Sequence, residues 1–144
     1  MTYEEWLNII EELKTSNINL EKLNIIKNTE INGNINDLLI PKIELLVRER
    51  FNNHINKIIK ELSNIFQDIN YLDLTLLNFQ KELNFLTELS TIKQLPIQKQ
   101  NELKEMLKTE SIKVFDILNN EATIVDHTGA LTSVINNYRI KWSE

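Results

Sequence analysis

The chain contains two imidazoles, His54 and His127, and these limit the acid–base or metal chemistry its side chains can offer. His127 stands between Asp126 and Thr128, a base flanked by a carboxylate to orient it and a hydroxyl to activate. Nucleophilic catalysis needs such groups to converge in space, yet neighbours in sequence generally point in different directions. The tripeptide therefore reads as a loop or helix cap. An enzyme built from His127 and carboxylates gathered in a bundle cleft is the alternative. With twenty-one acidic residues, no carboxylate pair is singled out by spacing.

Metal and phosphate chemistry find less support. Helical di-iron sites need Glu-x-x-His, but Phe51 and Ile124 occupy the positions three before the histidines. The absence of cysteine removes thiolate ligands, thiol nucleophiles and disulfides. No calcium loop is present. Phosphate-cradling loops require clustered glycines, and Gly33 and Gly129 are far apart. The sequence thus points to no cofactor, no metal and no small-molecule ligand.

His54 belongs to a different pattern. Arg48, Arg50, His54, Lys57 and Lys60 recur along one predicted helix as a basic strip that could face an acidic partner. The bland alternative is a solvated helix flank. Residues 1–37 carry seven acids and three bases, whereas residues 38–66 carry five bases and three acids, inside a chain of net charge −5. That overall sign opposes tight nonspecific binding to phosphate backbones. A nucleic-acid-linked regulator using the strip is a rival reading. A helix-turn-helix across residues 20–47 would need too long a turn.

The elements that must position these groups are helical. Phe51, Ile55, Ile58, Leu62, Ile65, Ile69, Leu72, Leu76, Phe79, Leu83 and Leu86 recur at alternating three- and four-residue steps, a heptad seam of about five repeats. An unbroken rod from Asp37 to Leu89 would be awkward for 144 residues. The stretch 67–73, with Asp68, Asn70 and Asp73 as capping residues, is the expected bend. The spacing predicts a helix from Asp37, its cap, to about Phe66, with Pro41 near its first turn, and another over 73–92.

Thr2 and Glu5 form a capping-box pattern for a first helix over 3–15, with a break at Ser16-Asn17 before a short helix bearing Leu20, Leu23 and Ile26. Residues 29–37 read as an ordered loop around Asn32-Gly33. A tiny hairpin flanked by Ile31 and Ile35 is the weaker option. A fifth helix is expected over 97–120. The segment 122–135 reads as the start of a last helix, capped by Thr128 with Leu131, Ile135, Tyr138 and Trp142 on one face, in preference to a strand pair.

The expected architecture is therefore an all-α, single-domain helical bundle of residues 1–144, with five or six helices and a long central helix or helical hairpin over 38–92. The acidic N-terminus lacks signal-peptide character and no apolar run reaches membrane length, so a cytoplasmic protein is expected. Asparagine and isoleucine, at about twenty residues each, suggest the AT-rich codons of a low-GC bacterium or its mobile element. Function is expected to be non-enzymatic, as a protein–protein interaction module of the regulator, adaptor or immunity type. Its partner would be another protein, or a second copy docked through the seam as a homo-oligomer.

Overall fold

A computed structural model describes residues 1–15, 17–30, 33–126 and 128–143. They form seven helices and no strand: α1 Tyr3–Leu13, α2 Leu20–Asn28, α3 Gly33–Lys60, α4 Leu62–Ile65, α5 Ile69–Ser90, α6 Ile97–Val125 and α7 Ala130–Ser143. The molecule is an all-α helical bundle. No described helix is long and apolar enough to cross a membrane.

α5 is the organising element, packing against α3, α4, α6 and α7, while α1 sits on α3 and α2. α3 and α5 form an antiparallel hairpin. Arg50 meets Glu82, His54 stacks on Phe79, and Glu61 accepts a hydrogen bond from the Tyr71 hydroxyl, so partners recede along α5 as the chain advances along α3. The heptad seam supplies the hairpin's inner face. Phe51, Ile58, Ile65, Leu72, Leu76, Phe79, Leu83 and Leu86 are buried, and Ile55 and Leu62 pack partly buried against them. Ile69 alone of the seam is exposed, because it starts α5 just after the bend. The seam is covered by other helices of the same chain and needs no second copy to hide it.

The bend falls within the expected stretch, and Asp68 makes it. Its carboxylate accepts a 2.9 Å hydrogen bond from the Asn70 amide, so α5 begins at Ile69, four residues before the expected start. Upstream, α3 ends at Lys60 and one short turn, α4, completes the helix expected to reach Phe66. The capping box at Thr2 and Glu5 is formed, with both reciprocal bonds present.

Three expectations are corrected. Asp37 does not cap α3, because the helix starts at Gly33 and Asp37 lies inside it. The loop expected over 29–37 is correspondingly shorter. Burial of Leu39, Ile43, Leu46 and Val47 anchors α3, and tertiary packing of that kind outweighs the weak helix propensity of the asparagines before it. Gly33 and Ile35 are helical, whereas Ile31, Asn32, Ser16 and His127, with the turns read on them, lie outside the described residues. α6 runs five residues beyond the expected Asn120, so residues 122–125 are helical.

The final helix forms as expected. The Thr128 hydroxyl accepts a 3.3 Å hydrogen bond from the Ala130 amide, and Ile135 is fully buried with Leu131, Tyr138 and Trp142 partly so. Asp126 joins the two helices, closing α6 and accepting from the Thr132 amide at 3.1 Å. Those backbone and hydroxyl donors hold its carboxyl below the usual range, against an opposing effect of desolvation that is the largest single influence.

Candidate functional site

A concavity lies where the second half of α3 faces the end of α1 and the middle of α5. A cleft of about 330 Å³ is lined by Lys14 and Thr15 after α1, by Arg50, Asn53, His54, Asn56, Lys57 and Lys60 of α3, and by Glu82 of α5. Its size is near the lower limit of ordinary ligand pockets.

The floor is a buried ion pair. Arg50 donates through Nε to Glu82 Oε2 at 3.0 Å and through Nη2 to Oε1 at 2.6 Å, a forked geometry that holds both side chains rigid. Its Nη1 donates to the Leu13 carbonyl at 2.7 Å and to that of Thr15. Arg50 thereby satisfies carbonyls at the C-terminal end of α1 that would otherwise lack a partner. The guanidinium also rests 4.7 Å from the centre of the Phe85 ring. Every one of these contacts is internal, and the pair cancels its own charge.

His54 sits beside this pair. Its ring stacks on Phe79 at 5.6 Å between centroids and 18° between planes, and Nδ1 lies 3.9 Å from Glu82 Oε1, beyond hydrogen-bond reach. Burial pushes the imidazole below its ordinary pKa. Glu82 opposes that shift, and Lys57 and Arg50 reinforce it. His54 is thus largely neutral at neutral pH.

The rim carries the free charge. Lys57 and Lys60 are exposed, line the cleft, and have no ion-pair partner among the described residues. They also occupy the last turn of α3, where cations are favoured by the helix dipole by about 0.3–1 kcal/mol each. Lys14 is held by Glu11 at 2.9 Å, and that hydrogen bond raises its pKa.

The five residues of the basic strip are therefore split by the fold. Four of them, Arg50, His54, Lys57 and Lys60, line the cleft, but Arg50 is 5% exposed and committed to Glu82. Arg48 faces elsewhere, 3.2 Å from Glu44, whose other oxygen is 3.1 Å from Lys99 of α6. Those two cations hold the Glu44 carboxyl below its usual range despite desolvation, the largest single influence. Lys14, Asn53, Asn56 and Glu82 escaped the sequence reading. Glu82 had one visible signal: like Arg50, it immediately precedes a seam residue, the flank where heptad helices place complementary charges.

The groups beside His54 are engaged within the fold. The Glu82 carboxylate is occupied by Arg50, and the Thr15 hydroxyl donates to the Glu12 carbonyl at 3.0 Å, so neither is presented to His54 as an orienting or nucleophilic group. Among the described residues no group of three or more histidines and carboxylates is placed to hold a metal ion. Asp126 is engaged with Thr132, and His127 lies outside the described residues.

A second cleft of about 180 Å³ adjoins the first and shares His54 and Lys57 with it. No protein-family model, no curated protein and no solved structure matches this chain.

Proposed function

We propose that the chain is a non-enzymatic protein-binding module, a regulator, adaptor or immunity-type binder, whose α3 cleft receives an acidic segment of a partner protein. The observation that carries this reading is a self-neutralised floor, Arg50 with Glu82, beside two rim lysines, Lys57 and Lys60, that have no ion-pair partner among the described residues. A rigid concavity with cations at its edge and amides from Asn53 and Asn56 offers carboxylates both charge and directed hydrogen bonds. The net charge of −5 supports selectivity for a local acidic feature over bulk polyanions, since the whole molecule repels the latter. Cysteine-free composition and the Asn/Ile bias support a cytoplasmic protein of a low-GC bacterium.

A photo-crosslinking residue at Asn56, introduced into the protein in cells of its source, tests this. A single cross-linked protein is expected, lost in Lys57→Glu/Lys60→Glu and restored when acids of the partner at the cross-link are changed to lysine. Cross-linking that is indifferent to the lysines, or turnover of a substrate by the purified chain, would end the reading.

A further inference from the structure

The two clefts are lined by different chemistry on either side of their shared residues. On one side stand Lys14 and Lys60, with Lys57 at the junction. On the other, beyond His54 and Lys57, the lining is Ile58, Glu61, Ile65, Thr75 and Asn78. Ile58 and Ile65 are 4% and 1% exposed, so they supply an apolar floor whose little remaining surface borders the cleft. Glu61 adds a carboxylate at that end, engaged by the Tyr71 hydroxyl, and the hydrogen bond raises the phenol's pKa. The two clefts thus meet at His54 and Lys57, with Lys14 and Lys60 lining the first alone and Glu61 lining the second alone.

We infer that the two clefts are one charge-graded groove, and that its occupant is a peptide segment with acidic side chains over Lys57 and Lys60 and an apolar side chain over Ile58 and Ile65. The inference rests on the acidic-partner reading above and adds an apolar end to the occupant. A ligand that was acidic throughout would meet Glu61 at the far end. One that was apolar throughout would leave the two lysines desolvated without a counter-charge. The expected recognition element is thus a short segment that carries both an acidic pair and a bulky apolar residue.

Selection of a phage-displayed random dodecapeptide library on the full chain tests this directly. Enriched peptides should carry both features. Their affinity should fall at least tenfold in Lys57→Gln/Lys60→Gln, which loses the positive end, and at least tenfold in Thr75→Trp, which fills the second cleft. Asn78→Trp provides a second block should Thr75→Trp fail to fold by circular dichroism. Enrichment of acidic peptides unaffected by either tryptophan overturns the groove while leaving the acidic-partner reading standing. Enrichment without acidic residues, or no enrichment, overturns both. So does lysine-dependent binding of random single-stranded DNA in place of any peptide, which would assign the cleft to nucleic acid.

Discussion

Arg50 and Glu82 meet 32 positions apart in sequence as a doubly hydrogen-bonded pair, with side chains 4% and 5% exposed. Arg50 extends the same rigid unit to the end of α1 through the Leu13 and Thr15 carbonyls. One guanidinium thus fixes three helices around the cleft.

Breaking that unit from one side should be costly. Glu82→Leu leaves a buried guanidinium without its counter-ion, and about 3–5 kcal/mol of stability should be lost in urea denaturation. Adding Arg50→Met to it removes the stranded charge, so the double variant should be more stable than Glu82→Leu alone. A double variant that showed the two losses simply summed would mean that the residues are not coupled.

Acid should loosen the fold through His54 before it reaches the carboxylates. The folded imidazole has a lowered pKa, caused first by burial, so protonation favours the unfolded chain. That contribution is intact above the unfolded value of roughly 6.5 and is lost as pH falls from there toward the lower folded value. Glu44 and Asp126, with lowered carboxyl values, act in a separate window below about 4.5. His54→Gln should flatten the stability profile just below about pH 6.5 while sparing the lower, carboxylate window. An unchanged slope would remove His54 as the cause.

Gly129 has φ of +81°, a backbone region that other residues enter only under strain. A Cβ there would meet nothing within 4 Å, so the cost of Gly129→Ala is conformational alone. We expect about 1–2 kcal/mol, read as a lower urea midpoint at unchanged slope.

Thr2→Ala removes the hydroxyl that accepts from the Glu5 amide and dismantles the reciprocal capping box. The loss should be about 1 kcal/mol. Hydrogen exchange should show it as faster exchange confined to the first turn of α1, since the rest of that helix packs on α3 and buries Trp6 and Leu13 in the core.

Lys57→Gln/Lys60→Gln should leave stability within about 1–2 kcal/mol, the helix-dipole contribution of two C-terminal cations. A larger loss in thermal unfolding would show that the lysines hold structure together rather than face a partner.

Much of this was legible in the residues alone, because helices are specified locally. The three-and-four spacing from Phe51 to Leu86, the Thr2–Glu5 box, Asp68 at the bend and Thr128 before the last helix each act within one or two turns. Element ends were less legible where packing outweighs propensity, as at Gly33 and Val125. The cleft was beyond local reading. Nothing near Arg50 in sequence shows that Glu82 will bury its charge, or that the end of α1 will supply two carbonyls to it. The Arg48–Glu44 pair does lie at local i,i+4 spacing, but nothing local shows that Lys57 and Lys60 would be left facing the cleft. Sequence determined which faces must hide from water. Only the hairpin register, set by how α3 and α5 interlock their side chains, decided which charges would meet inside and which would remain available outside.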